Sequence, residues 1–280
     1  MKTPQLFLPL ALAASFVPAL SGQTTLLNDS FADGNRTGQS LPSSAAWYQL
    51  GSATVALGVD SAIGGMANAL AFSQGGSAVA LSYFTNSGVQ SLTNVNDSIT
   101  LRFDFRIGGL AAGDNVMRIA LLNSGGGTRV SADDTASIAA GTGYTGYALF
   151  MDTDATATAQ FRKHTGADIL GFANYTTVGT AGSVTAPVGG TIYTGNTLTI
   201  TRTASGVSLS GSIAGSAINA SDTTGAITAF DTVAFRFMQG ASYRFDNVSV
   251  SAIPEPSAFA AWAGLGTIGL AASRRRRRGA

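Results

Sequence analysis

One histidine and no cysteine restrict the chemistry that this chain of 280 residues can perform. A Ser-His-Asp triad would have to use His164, the only histidine, because an imidazole is the base that activates the serine. Its context, Arg-Lys-His-Thr-Gly, is typical of a strand that ends in a turn, so we expect a solvated histidine. Zinc needs several histidine or cysteine ligands, and the sequence does not supply them.

Paired carboxylates are the other common catalytic arrangement, since most glycosidases use one as an acid and one as a nucleophile or base. The only glutamate is Glu255, near the end of the chain. Aspartates could take over the role, but no predicted strand carries two of them on its inner face, and Asp133-Asp134 is expected in a loop. We therefore predict that the protein is not an enzyme and has no cofactor.

Calcium binding needs only oxygen ligands, and Asp152 and Asp154 alternate directly after a predicted strand. Alternating aspartates can contribute carboxylate oxygens to a structural Ca²⁺ site. They are also common in ordinary turns, where they accept hydrogen bonds from the backbone. The sequence leaves both interpretations open.

Sugar binding needs exposed aromatic rings for stacking, together with polar groups for hydrogen bonds. Trp47, Tyr48 and Tyr147 are the candidate ligand-binding residues. The alternative is that these rings pack in a hydrophobic core, which is where aromatic side chains contribute most buried area.

Charge argues against nucleic acid as a partner. Without the six basic residues Lys2 and 274–278, and without Glu255, ten basic and fourteen acidic residues remain, a net charge near −4. Binding to phosphates needs a basic surface. Glutamate and lysine, the usual surface residues of soluble helices, are almost absent, so the composition favours β-structure.

The first 21 residues have the three parts of a signal peptide. Lys2 supplies the positive start, residues 6–20 are apolar, and Ala19 and Ser21 are the small residues that a signal peptidase reads. We predict cleavage after Ser21 or one residue later, and hence export.

The last 28 residues, 253–280, combine three features in a fixed order. Pro254-Glu255-Pro256 is followed by an apolar stretch, 257–272, and then by the basic residues Arg274, Arg275, Arg276, Arg277 and Arg278. The apolar stretch is about 24 Å long as a helix, slightly shorter than a hydrocarbon core. Arginines keep to the cytoplasmic side, so we expect the body of the chain outside the inner membrane. A plain membrane anchor is the alternative.

This tail resembles the PEP-CTERM sorting signal in its Pro-Glu-Pro motif, its apolar helix with Trp262, and its arginine block. The resemblance implies that an exosortase-type protease cuts the tail and that the protein is released or attached at the cell surface. It also implies an association with bacteria that make exopolysaccharide and biofilm.

The segment between the two ends, residues 22–252, has the alternation of β-strands. In Ser98–Ile107, apolar residues fall on one face and polar residues on the other, which is typical of an antiparallel strand over a core. Further strands are predicted at 53–59, 69–72, 78–84, 116–122, 147–152, 159–163, 197–202, 207–213, 232–238 and 243–250. The pattern predicts an all-β fold, an antiparallel two-sheet β-sandwich.

The opening segment, Asn28 to Phe31 with Asp33-Gly34 and then Trp47-Tyr48, resembles a concanavalin A-like jelly roll, as does the closing segment Phe245 to Val248. The resemblance implies that the first and last strands pair. It does not carry over a glucanase mechanism, because that branch uses glutamates and this domain has none.

We therefore expect an exported, non-enzymatic cell-surface or extracellular-matrix protein, a structural or adhesive part of the exopolysaccharide layer. Its partners would be signal peptidase, the exosortase-type protease, the inner membrane before processing, and exopolysaccharide. One alternative is a lectin-like carbohydrate-binding module. A second alternative is a divergent polysaccharide hydrolase.

Overall fold

A computed structural model describes residues 22–51, 56–60, 65–72, 77–109, 116–125, 128–137, 141–152, 157–166, 169, 174–237 and 241–254. The predicted signal peptide, with Ala19 and Ser21, lies outside the described residues. So does the predicted tail, except for its first two residues, Ile253 and Pro254.

The described chain is built of β-strands and contains no α-helix. In chain order the strands are β1 (Thr24–Asp29), β2 (Trp47–Leu50), β3 (Leu57–Asp60), β4 (Ala69–Phe72), β5 (Ala78–Tyr83), β6 (Gln90–Ser91), β7 (Ser98–Gly108), β8 (Val116–Asn123), β9 (Thr145–Asp152), β10 (Thr158–Thr165), β11 (Tyr175–Ser183), β12 (Ile192–Arg202), β13 (Val207–Ile213), β14 (Ser216–Asp222), β15 (Ala229–Phe230), β16 (Thr232–Phe237) and β17 (Ser242–Ile253).

Two antiparallel sheets form the sandwich, as predicted. Sheet I has eight strands, in the order β14-β13-β12-β7-β17-β4-β3, with β1 also paired to β17. Sheet II has seven strands, in the order β11-β10-β9-β8-β16-β5-β2. The short strands β6 and β15 form a separate pair.

The first and last strands are neighbours, as the resemblance to a jelly roll implied. In β1, Thr24 lies opposite Ala252 and Asp29 lies opposite Val248 of β17. The other half of β17 pairs with β4, and a bulge at Asn247 separates the two halves.

Alternation of residues explains how each sheet buries one face. In β7 the apolar residues Ile99, Leu101 and Phe103 are buried while the polar residues between them are partly or fully exposed. Aromatic rings fill the space between the sheets. Phe235 of sheet II stacks on Trp47 at 5.7 Å and on Phe245 of sheet I at 4.3 Å between ring centroids. Such rings each bury a large apolar area.

Sheet II also buries part of its outer face. A second hydrophobic cluster on that face includes Phe150, Leu81 and Tyr83, with Val130 and Tyr144 from the loops that cover it. The Tyr83 and Tyr144 hydroxyls are hydrogen-bonded to each other, and the Val130 N–H donates to the Tyr83 oxygen at 2.7 Å. The strands of sheet II are therefore apolar on both faces, as expected of a doubly covered sheet.

The two sheets approach each other along one edge, where β11 faces β14. Gly179 of β11 has a φ of +70°, and a Cβ at that position would lie 3.0 Å from the Cβ of Ala220. A larger residue would push the edges apart, so glycine is needed for this close approach.

Candidate functional site

Three arginines of sheet II converge on the half of its outer face nearest to the ends of β9 and β16. Arg118 lies on β8, Arg162 on β10 and Arg236 on β16. Their neighbours in sequence, such as Ile119 and Phe161, point into the core between the sheets, so the arginines point outward. Arg118 lies directly opposite Arg236 in the strand pairing.

Phe150 and Tyr175 complete this group, which we call the arginine cluster: Arg118, Arg162, Arg236, Phe150 and Tyr175. The guanidinium carbons of Arg118 and Arg162 lie 4.5 Å and 4.9 Å from the centroid of the Phe150 ring. The Tyr175 ring meets Phe150 edge-on, with 4.8 Å between centroids. Cation–π contacts of this length are attractive and hold the guanidinium planes in place.

Burial and like charge both act on the arginine cluster. Burial, together with the neighbouring charges of Arg236 and Arg162, lowers the pKa of Arg118 to about 10, although Tyr175 acts in the opposite direction. Burial also lowers the pKa of Arg162 and of Arg236. Arg118 is only 2% exposed, whereas Arg162 and Arg236 are half-buried. Arg118 thus forms the floor of the cluster and the other two lie nearer to solvent.

This arrangement can recognise planar or multiply hydroxylated oxygen ligands. A guanidinium presents five N–H donors in a fixed fork, which suits bidentate bonds to oxygen pairs. The Phe150 and Tyr175 rings are buried and support the guanidinium groups from within the sheet face.

His164 corrects the prediction of a solvated turn histidine. It is completely buried because β10 continues to Thr165 and the loop before β9 covers this face. Its Nδ1 is hydrogen-bonded to the carbonyl oxygen of Tyr144, and its ring lies 4.6 Å from that of Tyr175. His164 therefore supports the base of the cluster.

Trp47 and Tyr147 are core residues, which corrects their assignment as ligand-binding rings. Trp47 is 0% exposed, and its Nε1–H donates to Asp29 Oδ2 at 3.1 Å. Tyr147 is also 0% exposed, and its hydroxyl donates to Asp222 Oδ2 at 2.7 Å. Both side chains point between the sheets because they alternate with outward-facing neighbours. Tyr48 is one such neighbour; it is half-buried and packs on the second hydrophobic cluster.

Asp29 is a carboxylate that is buried in the core and hydrogen-bonded there. Burial raises its pKa, and the hydrogen bonds from the N–H groups of Phe31, Trp47 and Ala45 offset only part of that effect. Since Asp29 is 2% exposed, its role is to fix the chain after β1 against the core.

A calcium site at Asp152 and Asp154 stays a prediction, because Asp154 lies outside the described residues. Asp152 ends β9 and is half-buried. Among the described residues, no three histidine, aspartate or glutamate side chains gather closely enough to hold a metal ion.

Lys163 and Asp222 line a groove of about 340 Å³ between β11 and the end of β14. The Lys163 Nζ lies 2.8 Å from Asp222 Oδ2 and also donates to the carbonyl oxygens of Thr224 and Gly225 at 2.6 and 2.7 Å. These bonds join the two sheets, so we assign the pair a structural role.

Sequence reasoning missed the arginine cluster. Arg118 stands between Met117 and Ile119, and Arg236 stands between Phe235 and Phe237. An arginine inside an apolar strand is a signal for a charged group on a covered face. That signal identifies single residues, but the strand order that brings them together is not visible in the sequence.

Comparison with solved structures finds weak likenesses to sandwich domains. Carbohydrate-binding module CBM66 from Bacillus subtilis is 13% identical over 72% of this chain and 92% of its own, with a TM-score of 0.40. A Bacillus subtilis protein of unknown function with a galectin-like fold is 12% identical over 75% and 90%, with a TM-score of 0.46. A legume lectin-like domain from Entamoeba histolytica is 12% identical over 75% and 90%, with a TM-score of 0.41.

No protein-family model and no curated protein sequence matches the chain. Within the described ranges, none of the chain forms a helix with the length and apolar character of a membrane span. The ligand therefore has to be inferred from the chain's own side chains.

Proposed function

We propose that the sandwich is a non-catalytic carbohydrate-binding module that binds glycan on the outer face of sheet II. The observation that carries this proposal is that Arg118 and Arg162 both contact the Phe150 ring, with Arg236 directly opposite Arg118 on the neighbouring strand. Guanidinium forks bond to pairs of ligand oxygens, and Arg162 and Arg236 are the half-buried members that lie nearer to solvent. The Phe150 and Tyr175 rings are buried beneath them and hold the site in place. Binding without turnover is consistent with a cluster built from arginines and rings.

The two ends of the chain support an exported protein. A signal peptide over 1–21, cleaved by signal peptidase, would deliver the domain across the inner membrane. Residues 253–280, with Pro254, Glu255, Pro256 and the arginines 274–278, would hold it there until an exosortase-type protease processes the tail. The product would be an adhesive component of the cell surface or the exopolysaccharide layer, with no role for nucleic acid.

A glycan array probed with the purified full chain tests the binding proposal. We expect saturable binding to one class of glycan and a loss of at least tenfold in affinity for Arg162→Ala. Arg102→Ala is the matched control, because Arg102 is an exposed arginine on the outer face of sheet I. Equal losses in the two variants, or no binding to any glycan, would contradict the proposal.

Intact mass tests the processing proposal separately. In cells that contain the sorting protease, the mature protein should lack the arginines 274–278. A mature protein that keeps them in such cells would show that the tail is a plain anchor.

A further inference from the structure

We infer that the outer edge of β14 is an interaction surface that binds the same edge of a second copy of this chain. The two β14 strands pair antiparallel about a two-fold axis, so that sheet I continues from one copy into the other. This pairing is independent of glycan binding at the arginine cluster.

The other described edges of sheet I are protected against such pairing. β3 has only four residues, and Asp60 at its end is ion-paired with Arg244 at 2.7 Å. β1 has a bulge at Leu26, and the Asn28 N–H donates to the carbonyl oxygen of Pro42 in the segment beside it. Short strands, charges, bulges and covering segments are the usual means by which proteins prevent unwanted strand pairing.

Both edges of sheet II are protected as well. The loop through Asp134 covers β2, because the Asp134 N–H donates to the carbonyl oxygen of Gln49 at 2.9 Å. The pairing of β11 with β10 shifts its register between Val178 and Gly182, and Gly179 in that stretch has a φ of +70°. Such an irregularity bends and twists a strand, which makes its edge a poor template.

β14 has none of these protections. Its residues, Ser216–Asp222, pair with β13 without a shift of register, and they include no proline. The one charge, on Asp222, is buried and paired with Lys163. β11 lies against the inner face of β14, where Gly179 approaches Ala220. Among the residues that the structure describes, none is hydrogen-bonded to the backbone groups on the outer edge of β14.

The side chains of β14 suit pairing with an identical strand. Ala217, Asn219 and Ser221 are exposed and uncharged. Pairing centred on Asn219 places this residue opposite its own copy, and Ala217 opposite Ser221 of the second copy. A carboxamide both donates and accepts hydrogen bonds, so two identical amides complement each other. A register shifted by one residue would bring exposed side chains onto the core face. Seven residues paired in this way contribute about six main-chain hydrogen bonds.

Single-cysteine variants test the pairing and its register, because the chain has no cysteine. Opposite residues of an antiparallel pair have Cα atoms about 5 Å apart, which a disulfide can span. We expect the purified full chain with Asn219→Cys to form a disulfide-linked dimer under mild oxidation. Ser221→Cys is the matched control on the same strand, because its copy would lie about 14 Å away along the pair. A mixture of the Ala217→Cys and Ser221→Cys variants should link only as the mixed dimer.

Sedimentation equilibrium measures the association without a cross-link. We expect the native chain to dimerise as its concentration rises, and Asn219→Lys to weaken the dimer at least tenfold, because it places two like charges directly opposite each other. Thr177→Lys, at an exposed position on the edge strand of sheet II, should leave the dimer unchanged. Thermal unfolding shows whether each variant keeps its fold.

Three results would overturn the inference. A chain that stays monomeric and gives no linked Asn219→Cys dimer would mean that β14 does not bind its own copy, and its edge would then be open to an extended segment of a different protein. A dimer that Asn219→Lys does not weaken would lie on another surface. Linking of Ser221→Cys as fast as that of Asn219→Cys would show random collision instead of a fixed register.

Discussion

Individual buried polar side chains hold the two sheets of this sandwich together. The clearest case is Asp222, which accepts hydrogen bonds from Lys163 and Tyr147 of sheet II. We predict that Asp222→Asn lowers the free energy of unfolding by about 3 kcal/mol, because removal of one partner leaves a nearly buried cation behind. Chemical denaturation at pH 7 measures the effect. Asp133→Asn is the control, with an expected loss of about 1 kcal/mol because its ion pair is more exposed.

The contribution of the Asp222 carboxylate to stability should depend on pH. Partial burial raises the pKa of Asp222, but the bonds from Lys163, Tyr147 and the Thr224 N–H outweigh it, and the pKa falls below 3.8. A depressed folded-state pKa contributes stability above the unfolded value, and that stability is lost as the pH falls through the folded-state pKa. The stability difference between the native protein and Asp222→Asn should therefore shrink below pH 3.8. A difference that stays constant down to pH 2 would contradict this account.

Trp47 provides a second test at the scale of one residue. Its ring is enclosed between Phe31 and Phe235, so Trp47→Ala should cost about 3–5 kcal/mol in stability, as large-to-small core substitutions do. Any loss of glycan binding by this variant should be a consequence of its unfolding. A Trp47→Ala protein that has the melting temperature of the native protein but no longer binds glycan would show that Trp47 contributes to the ligand site.

Pairs of strands depend on a few glycines at places where no side chain fits. Gly146 of β9 has a φ of +156°, and a Cβ there would lie 2.3 Å from the Leu121 carbonyl oxygen of β8. Gly146→Ala should therefore destabilise the protein by about 1–3 kcal/mol, the usual cost of overpacking. Gly58→Ala on β3 is the matched control, since that Cβ would meet nothing within 4 Å. The denaturation midpoints of the two variants measure the two losses of stability. Equal losses would argue against a clash between the introduced alanine side chain and β8.

The sequence predicted strands well where their residues alternate strongly. The predicted segment Ser98–Ile107 differs from β7 by one residue, and Val207–Ile213 agrees with β13. It missed β14 (Ser216–Asp222), whose residues have little preference for strands. That strand forms because β13 pairs with it along its whole length, which is a tertiary effect that local propensity does not contain.

The candidate site was harder to predict than the fold for a related reason. Alternation shows that a residue points away from the core, but not which outward residues become neighbours. Arg118 and Arg236 are far apart in sequence and meet because β8 and β16 pair. Trp47 was misassigned for the converse reason, since a single aromatic looks the same in sequence whether it faces the core or a ligand.

At the scale of the whole sandwich, both ends of the described chain leave from the same end of sheet I. Thr24 of β1 lies opposite Ala252 of β17, two residues before Pro254. The arginine cluster lies toward the other end of the sandwich. Arg236 is the last residue but one of β16, and a short connection leads from there to Ser242, the start of β17. The cluster is therefore nearer to the end of the sandwich opposite the chain ends.

This polarity within the sandwich can be tested on cells, because the two ends of the sandwich can be labelled separately. The absence of cysteine allows a direct test with single-cysteine variants. Ser205→Cys lies in the turn after β12, at the end where the chain leaves, and Val188→Cys, at a position 63% exposed, lies near Ile107 at the opposite end. β7, which spans this distance, is about 35 Å long.

We predict that a bulky polymer-linked maleimide labels Val188→Cys several times faster than Ser205→Cys on cells. The outer layers of these cells are permeabilised so that the reagent reaches the protein. If the tail holds the protein at the cell surface, that surface should hinder access to the end of the sandwich from which the chain leaves. Purified protein provides the control, because both exposed cysteines should react there at similar rates. Faster labelling at Ser205→Cys on cells would mean that the sandwich is held by its other end, and the arginine cluster would then face the surface from which the chain emerges.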